Sequence, residues 1–459
     1  MNNVQRSVLS FALIACLLLI VGLFQSWSLM LSILNLCLIS SVMALGVNIQ
    51  WGYAGLFNVG TMGFAALGGV AAMLVSKGPV PEAWAVGGWN LIIAAFLFML
   101  TVTLAIITYR RIKRGTLRLL VLSGTIILGI FATRYFSDPA IVDIEAVNPA
   151  LTGYLGGIGL PILFSWIVGG VFAAGAAWVI GKIALGLRSD YLAIATLGIS
   201  EIIIAILKNE DWLTRGVKNV AGLPRPVPYE IDLQKSDWFI NLTEWLNSNS
   251  LYGLSSIERA DLLSSSVTEF SGIYVKLCYT GLFAAVLVII LTMSVMALNS
   301  PWGRMMRAIR DNETSAAAMG KNITGRHLQV FIIGSAVIGI AGAMLTTLDG
   351  QLTPGTYNPL RFTFLIWVMV IVGGSGNNLG SVLGGFLIWL TWIEAEPVGV
   401  WLIDGATGWL GGTNPIRLHL MDAAQHMRLF MMGLVLLFVM RFNPGGILPE
   451  VTKVGKLSN

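Results

Sequence analysis

The side chains that could carry chemistry are few and scattered in this 459-residue sequence. The Gly-Lys pairs at 320–321 and 455–456 lack the upstream glycine and the following hydroxyl of a phosphate-binding loop. The histidines His327, His419 and His426 have no metal-binding spacing, and no Ser or Cys stands in a G-x-S-x-G turn. The sequence therefore predicts no ATPase site, no enzymatic activity and no cofactor bound by this chain.

One charged residue, Glu201, lies well inside an apolar run at 190–207 that is long enough to cross a membrane. A charge at this depth is costly, which makes it a functional candidate by default. We expect Glu201 either to border a transport pathway or to pair with a base such as Lys276 across the helix bundle, and we favour the pairing. Proton-coupled carriers generally use a chain of intramembrane carboxylates or histidines, so a single carboxylate argues against ion-coupled transport.

Two stretches, 50–60 and 373–380, combine glycine with Asn, Gln or Ser between apolar flanks. This pattern is typical of discontinuous membrane helices whose backbone borders a substrate path. We therefore predict that both stretches line or border a pathway. The candidate pathway residues are Gln50, Tyr53, Asn58, Thr61, Glu201, Ser375 and Asn377.

The elements that would position these residues are membrane helices. Hydrophobic residues make up 56% of the sequence and charged residues 11%, whereas soluble domains are about 25% charged. A membrane-spanning helix needs about 20 apolar residues, and the apolar runs are long and do not alternate, which favours helices over a barrel. We predict an all-α polytopic membrane protein with about 10–12 transmembrane or partial helices.

The charge of the connecting loops predicts how the helices are oriented. The loop at 109–118 holds five basic residues and no acid, whereas 136–160 holds three acids and no base, and 208–272 has nine acids against six bases. Loops with an excess of Lys and Arg stay in the cytoplasm. We therefore predict cytoplasmic N- and C-termini and an extracytoplasmic segment at 208–272.

This orientation requires an even number of crossing elements. They are predicted near 7–26, 30–49, 56–75, 89–109, 117–136, 161–181, 190–207, 273–298, 327–348, 361–374, 379–392 and 426–441. The predicted organisation is an N-terminal part of the membrane domain at 1–207, an insertion at 208–272 and a C-terminal part at 273–459. The insertion either caps the outer mouth of a pathway or has no role, and the sequence favours neither.

A charged, alanine-rich segment at 300–326, called here the amphipathic segment, separates two long apolar runs. It carries five basic residues and two acids, together with residues that favour helices. Membrane spans are usually joined by short irregular loops, so a helix-forming connection of this length calls for another explanation. We predict a helix outside the bilayer, on the cytoplasmic side, that presses against a soluble partner.

With these residues in view, the chain resembles the LivM-like permease subunit family of bacterial branched-chain amino-acid ABC importers. Five stretches carry the resemblance in the family's order. They are 45–60, 189–202 with 219–224, 303–324, 372–385 and 441–446. The third stretch is the most specific. The chain departs from the family pattern where it has Thr61 or Met62 in place of a common histidine, and in the length of 208–272.

The resemblance implies a helical permease of the bacterial inner membrane that pairs with a second, related permease. Two cytoplasmic ATPase subunits would bind the ATP, a periplasmic binding protein would deliver the substrate, and no nucleic acid would take part. The amphipathic segment would be the coupling helix that docks in an ATPase groove. The residues implied to couple are Arg304, Arg307, Arg310, Glu313, Ala316, Ala317 and Gly320.

The resemblance implies import of branched-chain amino acids. The main alternative is a permease for urea or short amides, because the two departures could signal a shifted substrate. A self-sufficient secondary carrier or channel is the alternative from another class, and it would transport without an ATPase.

Overall fold

The computed structural model describes residues 3–148, 152–411 and 414–450, and these residues form a bundle of helices. The part before the insertion contains α1 (Asn3–Phe24), α2 (Trp27–Val47), α3 (Thr61–Ser76), α4 (Pro81–Ala83), α5 (Trp89–Arg111), α6 (Thr116–Ala146), α7 (Leu163–Ala184) and α8 (Ser189–Asn209). Short π-helical turns at Asn48–Gly52 and Trp84–Gly88 extend α2 and precede α5.

The insertion and the part that follows it are also helical. They contain α9 (Asp211–Thr214), α10 (Glu230–Gln234), α11 (Asp237–Leu246), α12 (Ser248–Leu251), α13 (Ser256–Asn299), α14 (Pro301–Asp311), α15 (Glu313–Ala318), α16 (Ile323–Asp349), α17 (Pro359–Gly373), α18 (Asn378–Thr407), α19 (Pro415–Ala423) and α20 (Met427–Phe442). Turns of 3₁₀ helix occupy Pro354–Thr356 and Ala424–His426. The predicted cytoplasmic tail at 451–459 lies outside the described residues.

Within the described ranges, nine helices are long and apolar enough to cross a membrane. They are Val4–Phe24, Trp27–Gly52, Pro81–Arg111, Thr116–Ala146, Leu163–Ala184, Ser189–Asn209, Ser256–Asn299, Ile323–Asp349 and Asn378–Thr407. The pair α19 and α20, bent by 63°, meets the same criterion jointly, and Thr61–Ser76 and Arg361–Gly373 are shorter apolar helices. The all-α, polytopic prediction of 10–12 spanning or partial helices is confirmed.

Three helices extend well beyond their predicted spans, and one of them, α6, continues to Ala146, past the predicted end at 136. The 44-residue helix α13 begins at Ser256, so the predicted boundary at 272–273 falls inside one continuous helix. Likewise, α18 continues for 30 residues to Thr407, past the predicted end at 392. The predictions ended where charged residues appear, but charged side chains do not interrupt the backbone hydrogen bonds of a helix. The start of α13 is set instead by a capping box formed by Ser255 and Glu258.

The bundle is organised around α16, which packs against α2, α3 and α7. Small residues bring these backbones into contact. A Cβ atom on Gly68 would lie 1.9 Å from the carbonyl oxygen of Gly339, and one on Gly342 would lie 2.0 Å from that of Ala65. Because lipid supplies no hydrophobic force between helices, such close packing holds a membrane bundle together. These glycines therefore set the distance between α3 and α16.

The helices α5 and α6 form a hairpin that packs mainly on itself. In their most apolar windows of 18 residues, only 6% of α5 and 0% of α6 is buried inside the chain. No charged residue occurs at 89–109 or at 119–133, and the basic residues cluster at the turn between the two helices. Such surfaces are suited to contact with lipid acyl chains.

The insertion is attached to one end of the bundle. Its strand β1 (Val220–Ala221) pairs antiparallel with β2 (Gln351–Leu352), directly after α16. Lys77, just after α3, donates hydrogen bonds to the carbonyl oxygens of Ala221 and Gly222, at 3.1 and 3.2 Å. The amphipathic segment runs into the first turn of α16, so it and the insertion lie at opposite ends of a 27-residue helix, about 40 Å apart at 1.5 Å per residue.

Candidate functional site

The first glycine- and amide-rich stretch interrupts the helical run between α2 and α3. After the π-helical turn at Asn48–Gly52 the helix continues to Ala54, and residues 55–60 are irregular up to the start of α3 at Thr61. Amide side chains form hydrogen bonds at this break. Asn58 Nδ2 donates to Gln50 Oε1 at 2.8 Å, and Asn58 Oδ1 accepts from the backbone N–H of Gly60 at 2.9 Å. Backbone inside a membrane must be satisfied within the protein, which explains the amide residues at this break.

Gln50 connects this break to the central helix. Its Nε2 donates to the carbonyl oxygen of Phe331 and to Ser335 Oγ on α16, both at 3.0 Å. Gln50 is fully buried and Asn58 is 1% exposed. Burying amide groups is unfavourable unless each is hydrogen-bonded, so these contacts specify one arrangement of the break against α16.

The second stretch forms a break between α17 and α18. Gly374 and Gly376 have φ angles of +118° and +79°, which favour glycine. Asn48 Oδ1 accepts from the backbone N–H of Gly376 at 2.8 Å, and Asn48 Nδ2 donates to Asn378 Oδ1 at 3.2 Å. Tyr53 donates its hydroxyl to the same Asn378 oxygen. The two breaks are therefore hydrogen-bonded to each other.

We call this buried cluster the polar junction. It consists of Asn48, Gln50, Tyr53, Asn58, Gly376 and Asn378. Two neighbouring helices attach to it. Thr61 donates to Thr363 Oγ1 on α17 at 3.0 Å, and Val59 donates its backbone N–H to Thr196 Oγ1 on α8 at 3.1 Å. The junction thus joins α2, α3, α8, α16, α17 and α18.

The structure brings most of the candidate pathway residues together. Gln50, Tyr53, Asn58 and Thr61 are at most 1% exposed and hydrogen-bonded within the chain. Two more, Ser375 and Asn377, are half-buried at the second break. In this conformation the first four hold the broken segments together, and a role in bordering a pathway remains a prediction.

Glu201 does not join this cluster, and its predicted pairing with Lys276 is wrong. Lys276 Nζ donates to Ser28 on α2, to the carbonyl oxygen at 3.0 Å and to Oγ at 2.6 Å. Glu201 is exposed on α8 and has no hydrogen bond or ion pair with any residue that the structure describes. Charge complementarity indicated a compatible pair, but the rotation of α8 about its axis decides where the carboxylate points.

The amphipathic segment forms two helices rather than the single predicted one. Asn312, with φ −154° and ψ 97°, separates α14 from α15. Its Oδ1 accepts from the backbone N–H of Ser315 at 2.9 Å and so caps the start of α15. The face of α14 that contains Gly303, Met306 and Ile309 is buried against the bundle.

The second of these helices, α15, is the exposed part of the segment. Glu313, Ala317 and Gly320 are exposed, Ala316 is half-buried, and Met319 is 80% exposed. A short helix of small residues, displayed at the end of the bundle, offers a surface that another protein can approach closely. The coupling role of these residues remains a prediction.

The arginines of α14 mostly contact the chain itself. Arg304 is exposed and donates to the carbonyl oxygen of Asn299 at 3.1 Å, and Arg307 donates to that of Leu298 at 3.4 Å. Arg310 turns inward, where its side chain is 22% exposed and lies 2.9 Å from the Glu450 carboxylate. In this structure Arg310 therefore contacts the chain itself, and its implied coupling to the ATPase remains a prediction.

Arg310 also donates to the carbonyl oxygen of Gly52, at the first break. Burial lowers the pKa of Arg310, but the carboxylates of Glu450 and Asp311 more than offset this and raise the pKa above its ordinary value. The guanidinium therefore stays charged and holds α14, the polar junction and residue 450 together. Its inward orientation was missed because sequence spacing places Arg310 among other basic residues and says nothing of its neighbours.

A cavity of about 190 Å³ lies between α2, α3, α16, α17 and α18. Its wall is mainly apolar and includes Met62, next to Thr61, and Trp389. Three polar side chains, Ser40, Asp349 and Thr356, also line it. The sequence analysis missed this cavity, because its lining comes from five helices and from ordinary apolar positions.

A bundle of membrane-crossing helices, with two broken segments bonded together and an amphipathic segment displayed at one end, defines a polytopic membrane protein of the permease class. The chain belongs to the family described as branched-chain amino acid transport system / permease component, whose sequence model matches residues 29–440. The resemblance found from the five stretches is confirmed.

The chain is similar to named permeases from bacteria and archaea. It is 24% identical over 344 residues to the high-affinity branched-chain amino acid transport system permease protein LivM of Escherichia coli (strain K12), covering 74% of this chain and 67% of that protein. It is 26% identical over 318 residues to the probable LivM of Methanocaldococcus jannaschii, covering 69% and 74%. The LivH permease of Escherichia coli (strain K12) is 22% identical over 237 residues, covering 47% and 73%. No solved structure matches the chain.

Proposed function

We propose that this chain is the permease subunit of an ATP-binding-cassette importer for branched-chain amino acids. Separate cytoplasmic ATPase subunits bind the ATP and drive it, and a periplasmic binding protein delivers the substrate. The observation that carries the proposal is the amphipathic segment, which displays α15 at one end of the bundle while Arg310 connects α14 to the polar junction. Similarity to LivM permeases supports the choice of substrate.

In this proposal the ATPase subunits act on the junction through α14. An ATPase seated on α15 would move α14, whose buried face packs on the bundle and whose Arg310 binds Gly52. The junction joins two helix breaks, and such discontinuous segments are where membrane transporters change shape around a substrate. Movement of α14 would therefore alter the arrangement of both breaks.

A second, related permease completes the membrane part in this proposal. The chain is similar to both LivM and LivH of Escherichia coli (strain K12), two permease proteins of one organism whose names specify the same transport system. The protein lies in the bacterial inner membrane, with the amphipathic segment and both termini in the cytoplasm and the insertion outside. The charge distribution of the loops supports this orientation.

Co-purification of the tagged chain from its native membrane tests the proposal. Wild type should bring down an ATPase and a second permease. The double variant Glu313→Arg, Ala317→Trp should lose the ATPase, because both residues are exposed on or beside α15. A matched control, Glu269→Arg with Ala260→Trp, changes the same residue types on the exposed surface of α13 and should retain it.

Transport by the reconstituted complex tests the substrate and the energy source. Uptake of leucine, isoleucine and valine should require ATP and the binding protein. Uptake of urea or a short amide in their place would replace the substrate assignment. Transport by the chain alone, in vesicles without ATP, would contradict the importer and favour a secondary carrier or channel.

A further inference from the structure

One face of α8 is exposed along the middle of the helix. It contains Ile194, Gly198, Glu201, Ile202 and Ala205, and we call it the α8 face. The two isoleucines are 69% and 59% exposed. A Cβ atom on Gly198 would have no neighbour within 4 Å among the described residues. The α8 face is therefore open to whatever surrounds this helix.

Glu201 lies near the middle of the membrane-spanning length of α8. It stands twelve residues after Ser189 and eight before Asn209, the two ends of the helix. These separations correspond to roughly 18 Å and 12 Å along the axis, inside a hydrocarbon layer about 30 Å thick. A carboxylate at this depth needs a polar partner, and none of the described residues supplies one.

The two helices that are least buried inside the chain, α5 and α6, look different. Their surfaces carry no charged residue at 89–109 or at 119–133, and the charges that follow on α6, Arg134 and Asp138, pair with each other at 2.9 Å. The α8 face instead combines a carboxylate with two small residues, Gly198 three positions before it and Ala205 four positions after it. Residues at this spacing share one side of a helix, and small residues there let a second membrane helix approach closely.

The opposite side of α8 packs on the segment that follows the first helix break. Thr196 accepts from the backbone N–H of Val59 at 3.1 Å. A Cβ atom on Gly60 would lie 2.4 Å from the Thr196 carbonyl oxygen, and one on Gly63 would lie 2.9 Å from Ser200 Cα. Because the backbones are in direct contact, a displacement of α8 would also move the segment that continues from the polar junction.

We propose that the α8 face is the contact surface for the second permease subunit, and that Glu201 accepts a hydrogen bond from a donor or cationic side chain on one of its membrane helices. This inference rests on the proposed function. The carboxylate selects a partner that carries a donor at the same depth, and Gly198 and Ala205 leave room for the backbone of a helix. The α8 face therefore lies on one side of α8, and the contact of Thr196 with Val59, next to the polar junction, lies on the other side.

Site-specific photocrosslinking tests the contact in native membranes. Benzoylphenylalanine is placed at Ile194 or Ile202 on the α8 face, or at Ile130 on α6 as a matched control that is 53% exposed. Irradiation should join the first two variants to the second permease and leave the control joined to lipid alone. Crosslinks from the α8 face to lipid alone, or to another copy of this chain, would overturn the proposal.

Substitution of Glu201 tests the hydrogen bond. Glu201→Leu should reduce the recovery of the second permease in detergent roughly tenfold, since polar contacts between membrane helices have this order of strength. Glu201→Gln keeps an acceptor and should retain most of it. The thermal unfolding of each variant chain alone should match wild type, because the described part of the chain makes no hydrogen bond or ion pair with this carboxylate that could be lost.

The results separate the interface from the function on which it rests. A wild-type complex that contains ATPase and second permease, but crosslinks only at other helices, overturns the α8 contact and leaves the importer intact. Equal recovery of the second permease with Leu and with Glu at 201 overturns the role of the carboxylate. Recovery of neither partner with wild type contradicts the proposed function itself.

Discussion

Arg310 joins three parts of the chain that are far apart in sequence. Its guanidinium lies on α14, binds the Gly52 carbonyl oxygen at the first helix break and pairs with Glu450. Hydrogen bonds to charged groups are stronger than neutral ones. At the scale of single residues, this side chain and the amides of the polar junction are therefore the contacts that specify the arrangement of the breaks.

We expect Arg310→Gln to uncouple transport from ATP hydrolysis. The ATPase should still co-purify, because α15 is unchanged, but loss of contacts worth about 1.5 kcal/mol should reduce ATP-driven uptake roughly tenfold. Uptake and co-purification are measured on the same reconstituted complex. Arg114→Gln is the matched control, since this guanidinium is exposed in the turn between α5 and α6 and lies outside the amphipathic segment. Equal losses in both variants would contradict a specific role for Arg310.

We expect Asn48→Leu to destabilise the chain by about 2 kcal/mol, because Gly376 N–H loses its acceptor and stays buried. Thermal unfolding in detergent measures the change. Asn90→Leu is the matched control, since Asn90 is exposed on α5. An Asn48 variant as stable as that control would show that the junction does not hold the two breaks together.

At the scale of secondary-structure elements, the amphipathic segment is divided into two helices. Its composition favours helix throughout, yet Asn312 ends α14 and caps α15. The split lets one part bury an apolar face against the bundle while the other stays exposed. The non-helical backbone at Asn312 separates the part that packs on the bundle from the part that stays exposed, and so it leaves α15 accessible.

We expect Asn312→Ala to weaken ATPase binding without unfolding the bundle. The cap on Ser315 N–H is worth about 1 kcal/mol, a large share of the stability of so short a helix. Asn312→Ser restores a capping side chain and should recover binding. Affinity of the purified permease complex for its ATPase is the measurement. Equal affinities for the Ala and Ser variants would show that the cap has no part in docking.

We expect Gly68→Ala to destabilise the contact between α3 and α16 by about 2–3 kcal/mol, because the added methyl group would overlap the Gly339 carbonyl oxygen. Thermal unfolding in detergent again reports the change. Gly175→Ala on α7 is the control, since a Cβ atom there has no neighbour within 4 Å in the part of the chain that the structure describes. This variant should unfold at or slightly above the wild-type temperature.

At the scale of the whole molecule, α16 connects the amphipathic segment with the insertion. It begins at Ile323, within the last residues of the amphipathic segment, and ends at Asp349, next to the strand that binds the insertion. Gln50 of the polar junction binds α16 between them. Each end can therefore affect the other through this central helix and the junction packed on it, and also through α13, which runs from the insertion to the start of α14.

We expect the two ends to face opposite sides of the membrane. Cysteines replace Tyr252 in the insertion, 90% exposed, and Met319 beside α15, 80% exposed. A membrane-impermeant thiol reagent should modify Tyr252→Cys from outside the cell and Met319→Cys only in inverted vesicles. The parent chain, with its own three cysteines, is the control. Modification of both variants from the same side would contradict the orientation.

The sequence by itself determined the class of protein, the positions of most helices and the family. Hydropathy is a property of each segment alone, and the motif at 303–324 and the stretch at 45–60 identify the family without reference to folding. Gln50, Tyr53, Asn58 and Thr61 were predicted from the sequence as pathway residues, which remains a prediction. The structure shows them buried and hydrogen-bonded within the chain, as buried amides and hydroxyls require.

The tertiary structure alone decided which side chains meet. The sequence marked both Arg310 and Glu201 as candidate functional charges. In the structure Arg310 binds Gly52 and Glu450. Glu201 faces outward, and Lys276, its expected partner, binds Ser28 instead. The physical reason is that a contact depends on helix rotation and on the packing of segments hundreds of residues apart. Hydropathy and charge counts carry no information about either.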